Sequence, residues 1–253
     1  MEGKRMIKLK TTLAAIAMAV FATTASAQTV FKVGSTPTSV PFAFIDVKTN
    51  SPQGMMIDVI EAVSKEVGFK IEYQPMPFSA LIPALTSGKI DIIAAAITAT
   101  PERAKVVDFT QDVYSYGDGL VVPAADQTQY GSVADLKGKV VGAQIGTRYI
   151  EYLKAQSGAA EVKAYEALPD VLREVANGRL AAGIGDFPIF AYNLQQGQFP
   201  QLRLVRDYKS GLNGGINLAV KKDNAELLAK INASLTAMKQ DGRLKAILEK
   251  WNL

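Results

Sequence analysis

The sequence predicts an α/β fold of two lobes, each a mostly parallel sheet flanked by helices, with two hinge crossings between them. Three observations lead to this prediction. Apolar runs of strand length alternate with segments of helical periodicity, and this order is typical of parallel sheets covered by helices. Two glycine-rich passages, at 114–119 and 209–215, interrupt the alternation. A faint internal echo repeats helix, glycine, basic residue and strand at 84–97 and 174–185, although this unit is too common to demonstrate a duplication.

The first series of elements ends with a buried strand and a helix start. Apolar runs predict strands at 30–34, 70–74 and 90–97, and helical periodicity predicts helices at 55–67 and 79–86. Gly68 and Gly88 follow the two helices, where glycine commonly ends a helix. Thr100 and Pro101 then predict a new helix, because threonine caps an N-terminus and proline suits the first helical position.

The second series begins after Gly117. Strands are predicted at 120–122, 139–144, 162–165 and 180–184, with helices at 148–155 and 169–176. A strand at 216–220 and a helical stretch at 224–250, interrupted near Asp241-Gly242, complete the chain. Because the glycine-rich passages separate the series, we place lobe 1 at 28–117 and 211–253 and lobe 2 at 118–210. Short glycine-bearing crossings can absorb the dihedral changes of a hinge.

The N-terminus predicts export into the periplasm. A basic region that ends at Lys10 precedes an apolar core at 13–22 and the small-residue site Ala25-Ser26-Ala27, so 1–27 is predicted to be a cleavable signal peptide. The core is shorter than the roughly 20 residues that span a bilayer, and we expect no membrane insertion after cleavage. Removing 1–27 takes four of 28 basic and one of 24 acidic residues. The resulting net charge of +1 gives no reason to expect nucleic acid as a partner.

The composition excludes several kinds of site. The chain has no cysteine and no histidine, so it lacks disulfides, thiolate ligands and the commonest general base. We expect no metal and no cofactor, and nothing suggests more than a monomer.

Three groups of polar residues follow predicted strands, where open α/β sheets bind ligands. Arg103 falls in the first turn of the helix after Thr98, although a cation is disfavoured there by up to about 1 kcal/mol. An anion would remove this conflict, and it could come from Glu102, from Asp108 or from a ligand. In lobe 2, Thr147 is a candidate N-cap and Asp186 follows a strand. A guanidinium on one lobe and a carboxylate on the other suit the carboxylate and ammonium groups of an amino acid.

The chain resembles the extracytoplasmic solute-binding proteins of polar amino acid ABC transporters, which have the type II periplasmic binding protein fold. The stretches that carry the resemblance are V-P-F-A-F at 40–44, G-M-M-I-D at 54–58, F-S-A-L-I-P-A-L-T-S-G-K-I-D at 78–91, T-A-T-P-E-R-A-K-V-V-D-F-T at 98–110, Q-I-G-T at 144–147, G-D at 185–186 and K-W at 250–251. The segment 78–110 is specific, and the others support it in combination.

The resemblance implies a ligand site between the lobes. It implies that Arg103 and Thr98 bind the α-carboxylate of an amino acid, joined by Thr147 from lobe 2. It also implies that Asp186 binds the α-ammonium group. The remaining implied contacts are an aromatic wall at Phe78 and a backbone carbonyl at Ala96.

Departures from the family pattern concern the side chain of the ligand. Thr36 and Ser39 stand where many members place a charged and an aromatic residue, and Met56 replaces a usual acid. We include Thr36 and Ser39 among the expected ligand-binding positions. Their neutrality favours a neutral ligand, polar or modestly apolar. Arg148 leaves two alternatives open, an acidic ligand or an arginine that points to solvent.

The resemblance implies a binding protein that delivers an amino acid to an ABC permease and ATPase complex, without enzymatic activity of its own. The alternative is a periplasmic dehydratase of the cyclohexadienyl type, acting on prephenate or arogenate with the same scaffold. Such an enzyme requires a general acid in the cleft, and no second acid or lysine stands out beside Asp186. A partnership with a membrane chemoreceptor would use the same cleft.

Overall fold

The structure is a computed structural model that describes residues 28–253. The predicted signal peptide, 1–27, lies outside the described residues. The elements of the first part are β1 (Val30–Ser35), β2 (Thr38–Ser39), β3 (Ala43–Asp46), β4 (Ser51–Gln53), α1 (Met55–Val67), β5 (Lys70–Pro75), α2 (Leu81–Thr86), β6 (Ile92–Ile97), α3 (Pro101–Ala104), β7 (Val107–Phe109) and β8 (Tyr114–Tyr116). A single 3-10 turn, Phe78–Ala80, precedes α2.

The remaining elements continue the alternation. They are β9 (Asp118–Pro123), β10 (Val140–Gln144), α4 (Arg148–Gln156), β11 (Glu161–Tyr165), α5 (Leu168–Ala176), β12 (Ala182–Asp186), α6 (Phe187–Gln195), β13 (Leu202–Leu204), β14 (Gly214–Lys221), α7 (Ala225–Gln240) and α8 (Arg243–Lys250). A 3-10 turn, Val133–Leu136, lies before β10.

Two larger sheets form the cores of the two lobes. The first has the order β5-β1-β6-β14-β7, with β8 also paired to β14, and the second has the order β11-β10-β12-β9-β13. In the first, β1 is parallel to β5 and β6, and β14 is antiparallel to its partners. In the second, β10 is parallel to β11 and β12, and β9 is antiparallel to its partners. Within residues 28–253, each of these sheets therefore has one reversed strand, and the predicted mostly parallel sheets are confirmed.

The helices pack through the faces that their periodicity predicts. In α5, the buried residues Leu168, Val171, Leu172 and Val175 recur with helical spacing, which forms one apolar stripe facing the sheet. Helix α1 ends at Gly68, whose φ of 89° places it in the left-handed region, where glycine has no steric penalty. Residues at the carboxyl ends of β6, β10 and β12 line one cleft.

The two crossings between the sheets lie side by side. The chain passes from β8 to β9 through Gly117 and returns before β14, and β8 pairs with β14 in antiparallel register. The buried Asp118 joins the crossings, because its carboxylate accepts hydrogen bonds from Ser210 Oγ at 2.5 Å and the Leu212 amide at 2.8 Å. The Tyr208 hydroxyl also donates to it. The hydrogen bonds to Asp118 hold the two crossing segments together. The lobe boundaries after 117 and 210 stay predictions.

The sequence pattern did not predict every element. A small sheet of β2, β3 and β4 follows β1, and helix α6 follows β12 directly, with a proline in its first turn. Strand β12 extends to Asp186, two residues beyond its predicted end. This extension places Asp186 on the strand itself, paired in register with Asp118 of β9.

Candidate functional site

A narrow cleft between the two lobes brings most of the predicted ligand-binding residues together. Its lining from the first lobe consists of Ser39, Phe78, Ala95, Ala96, Thr98 and Arg103, and its lining from the second consists of Gln144, Thr147, Arg148, Tyr149, Asp186 and Ile189. The cavity has a volume of about 20 Å³, which is room for about one water molecule. An amino acid therefore requires the lobes to separate or the lining side chains to move before it can enter.

Arg103 reaches this cleft from a helix of one turn. The hydroxyl of Thr100 caps the helix by accepting a hydrogen bond from the Arg103 amide at 3.2 Å, and Pro101 begins it, as predicted. The guanidinium donates to the carbonyl of Thr98 at 2.7 Å and, across the cleft, to the carbonyl of Gly146 at 2.9 Å. It also lies 5.6 Å from the centre of the Phe78 ring, within the range of a cation–π contact.

The charge of Arg103 has no carboxylate partner within ion-pair distance in the part of the chain that the structure describes. Of the two acids that the sequence offered as alternatives, Asp108 pairs with Lys222 at 2.8 Å. Glu102 is in none of the ion pairs found among the described residues. Burial, together with repulsion from Arg148, lowers the pKa of Arg103, and attraction to Asp186 opposes this. The guanidinium is thus held by carbonyl groups, with no carboxylate in ion-pair contact among the described residues, and this suits it to bind an anion.

Asp186 is fixed by two tyrosine hydroxyls. Tyr149 donates to its Oδ1 at 2.6 Å and Tyr116 donates to the same atom at 2.8 Å. Burial raises the pKa of Asp186, whereas both hydroxyls and then Arg148 and Arg103 act to lower it. Because both tyrosines bind Oδ1, the second oxygen of the carboxylate is available to accept from a cation in the cleft.

The backbone of β6 is strained where it meets the cleft. Ala96 has a φ of 52°, in the left-handed region that residues other than glycine rarely adopt. The pairing of β6 with β14 is irregular at the same place, because Asn217 and Ala219 are opposite Ile97 and Ile93. Strain of this kind often accompanies functional sites, and Ala96 is the position at which the resemblance implies a carbonyl contact.

The turn after β10 forms the opposite wall. Thr147 occupies the N-cap position of α4, as predicted, but its hydroxyl donates to the Gln144 carbonyl at 2.6 Å and makes no capping bond. Gly146 has a φ of 77°, and a β-carbon at this position would lie 2.9 Å from the Cα of Ser79 in the other lobe. The two lobes therefore approach each other backbone to backbone beside the cleft.

Arg148 lines the cleft from the first position of α4. Its guanidinium donates to the carbonyl of Leu212 at 2.6 Å and more distantly to that of Asn213 at 3.4 Å. Both carbonyls belong to the second crossing. The tip of Arg148 is consequently held between the hinge and the cleft.

One predicted residue lies outside the cleft, and several others were missed. Thr36 is buried and donates to the Ala43 carbonyl at 3.3 Å, and it does not line the cavity. Tyr116, Tyr149 and Gln144 were not predicted. The tyrosine-rich passage that marked the first crossing was the available signal for Tyr116, but no local pattern indicates that its hydroxyl meets Asp186.

A wider groove of about 800 Å³ lies elsewhere, between α6 and β13. It shares no lining residue with the cleft. We consider the smaller cleft the functional site because it combines an unpaired guanidinium, a fixed carboxylate and backbone strain. Among the described residues, no three acidic side chains are grouped so that they could bind a metal ion, and no helix has the length and apolar character to span a membrane.

Comparisons with known proteins identify the family and the fold. The sequence profile of the bacterial extracellular solute-binding proteins, family 3, matches residues 31–253. The chain is 30% identical over 246 residues to the putative ABC transporter arginine-binding protein 2 of Escherichia coli (strain K12), covering 96% of this chain and 99% of that protein. An ancestral arginine-binding protein bound to arginine has a TM-score of 0.81 at 35% identity, covering 88% of this chain and 98% of the other. An ancestral amino acid-binding protein, a precursor of cyclohexadienyl dehydratase, has a TM-score of 0.80 at 32% identity, with coverage of 88% and 95%.

Proposed function

The chain belongs to the bacterial extracellular solute-binding proteins of family 3, and we propose that it binds an amino acid between its lobes and delivers it to an ABC permease. The resemblance and the type II fold predicted from the sequence are confirmed by the comparisons. We further propose that it does so as a monomer in the periplasm, after removal of 1–27, and that it catalyses no reaction. The lobes of this receptor are 28–117 with 211–253, and 118–210.

The α-carboxylate of the ligand binds Arg103. The observation that supports this assignment most directly is a cleft guanidinium that is held by two carbonyls and lacks a carboxylate partner within residues 28–253. A ligand carboxylate forms a charge-assisted pair with it, which is stronger than a hydrogen bond between neutral groups. Thr98 and Thr147, which line the same cavity from the two lobes, complete the carboxylate contacts.

The α-ammonium group binds Asp186 and the backbone at Ala96. The tyrosine hydroxyls already orient the carboxylate, so the ligand meets a group that loses little further freedom on binding. Phe78 covers the ligand from the first lobe, beside Arg103, and Ser39 closes the same wall.

Binding couples to closure of the lobes. Arg103 donates to the carbonyl of Gly146 across the cleft, and Ser79 Oγ donates to Glu166 at 3.2 Å between the same lobes. A ligand that contacts both lobes adds to these bonds and shifts the population toward the closed form. The permease then receives a complex that differs in shape from the free protein.

A thermal-shift screen of the refolded, ligand-stripped protein 28–253 against the twenty amino acids, prephenate and simple dicarboxylates tests this function. Ligand at 100 times its Kd adds about 2.7 kcal/mol to the free energy of unfolding. We expect at least one amino acid to respond and the response to disappear in Arg103→Ala. The matched control is Arg173→Ala, which removes an exposed guanidinium from α5. Silence with every amino acid, or an unchanged response in Arg103→Ala, would contradict the proposal.

A further inference from the structure

A second guanidinium, that of Arg148, lines the cleft with Arg103, and the role assigned to it rests on the proposed function. We propose that Arg148 binds the side chain of the amino acid, so that the preferred ligands end in an oxygen acceptor, a carboxylate before a carboxamide. Arg148 stands at the first position of α4 and lines the same cavity as Arg103 and Asp186.

The position of the Arg148 guanidinium is fixed by the second crossing. Its Nη2 donates to the Leu212 carbonyl at 2.6 Å, and its Nη1 lies 3.4 Å from the Asn213 carbonyl. An arginine has five N–H donors in a rigid plane, so these two bonds hold the group and leave other donors for a ligand. A guanidinium that is already oriented loses less entropy when it forms a bidentate contact with a carboxylate.

The charges around the cavity are unbalanced. Arg103, Arg148 and Asp186 are the charged residues of its described lining, and neither arginine lies within 4.0 Å of a carboxylate oxygen among the described ion pairs. The two guanidiniums are also close enough to interact, since Arg148 contributes to the lowered pKa of Arg103. The zwitterionic part of an amino acid compensates Arg103 and Asp186. The charge of Arg148 then remains for the side chain.

This remaining charge ranks the possible ligands. A side-chain carboxylate neutralises it through a charge-assisted hydrogen bond, and a carboxamide oxygen offers a weaker acceptor. An aliphatic side chain offers none. The guanidinium of an arginine ligand is repelled by the like charge of Arg148, and this repulsion disfavours that ligand. The expected ligand thus differs from arginine, the ligand named for the relatives. It also widens the expectation from the sequence, from neutral polar ligands to acidic ones.

A bracing role for Arg148 in the hinge is the competing explanation. Loss of its bonds to the second crossing would then weaken closure around any ligand, by a similar factor for each. A role in binding the side chain instead changes the ranking of ligands. The comparison between ligands therefore separates the two roles.

The test is a set of calorimetric titrations of ligand-stripped 28–253 with L-glutamate, L-glutamine, L-leucine and L-arginine. In the unmodified chain we expect affinity to fall in that order, a result that requires no variant. Arg148→Gln should lower the affinity for glutamate by about 30-fold or more, as expected when a buried charge pair loses one partner. It should lower the affinity for glutamine less, and it should change the affinity for leucine by less than about threefold. Arg148→Lys, which keeps the charge and loses the planar fork, should retain part of the preference for glutamate over leucine.

Arg173→Gln serves as the control, because it removes the same charge from an exposed position of lobe 2, and it should leave every affinity unchanged. Equal weakening of all ligands in Arg148→Gln would overturn the inference and leave the proposed function intact. Tightest binding of arginine or leucine by the unmodified chain would do the same. Failure of every amino acid to bind in the wider screen would overturn the proposed function and this inference together.

Discussion

Replacement of Gly146 by alanine should disfavour closure of the lobes while leaving the fold intact. The new β-carbon would lie 2.9 Å from the Cα and 3.2 Å from the Cβ of Ser79, and an ordinary contact begins near 3.4 Å. The closed form must therefore open by about 0.5 Å at this point or carry overpacking strain of about 1–3 kcal/mol. Because Ser79 belongs to the other lobe, this strain is absent when the lobes are apart. We expect ligand affinity to fall by about 5- to 150-fold.

Gly178→Ala is the matched control for the backbone strain of this substitution. Gly178 has a φ of 72°, close to the 77° of Gly146, and no heavy atom would lie within 4 Å of its added β-carbon. Both variants should lose about 1–2 kcal/mol of unfolding free energy from the left-handed conformation, measured by urea denaturation without ligand. Only Gly146→Ala should lose affinity in calorimetric titration. Equal affinities in the two variants would refute the reasoning that the bound form has Gly146 against Ser79.

Three further predictions concern the groups around Asp186 and the contact across the cleft. Burial raises the pKa of Asp186 above its value in the unfolded chain, so the stabilisation from its protonation is present below the unfolded pKa and is lost as pH rises through the folded pKa. Asp186→Asn should remove this pH dependence from the free energy of unfolding, measured by urea denaturation between pH 4 and 7. An equal pH dependence in the variant and the unmodified chain would contradict it. Tyr149→Phe removes a donor from Asp186 Oδ1, so unfolding free energy should fall by about 1–3 kcal/mol, and the loss of ligand affinity on acidification should begin at a higher pH than in the unmodified chain. Ser79→Ala removes the exposed bond to Glu166, and calorimetry should show less than about fivefold weaker binding, because an exposed hydrogen bond contributes about 1 kcal/mol or less.

Local patterns predicted the elements that place Arg103, but they placed Asp186 less well. Thr100 and Pro101 define the start of α3 by chemistry that acts within four residues. The strand before Asp186 was predicted to end at 184, one residue before Gly185. In the structure, pairing with β9 keeps it extended to residue 186. Pairing with β9 therefore sets the end of β12, which the local sequence pattern did not predict.

Contacts between distant residues account for the parts of the site that were missed. Tyr116 precedes Asp186 by 70 positions and Tyr149 precedes it by 37, and nothing local in the sequence connects either hydroxyl to the carboxylate. The direction of Arg148 likewise depends on carbonyls 64 and 65 residues away. Thr36 was expected in the site from the family position, but its hydroxyl donates to the backbone carbonyl of Ala43 at the start of β3.

Titration with a ligand and its two truncated analogues tests whether Arg103 and Asp186, on opposite lobes, bind the carboxylate and ammonium groups of one amino acid. The measurement compares the best amino acid with the amine that lacks its carboxylate and the acid that lacks its ammonium group. Each analogue leaves one charged partner unsatisfied, so we expect each to bind at least about 30-fold more weakly. Binding of either analogue with the affinity of the amino acid would contradict the claim.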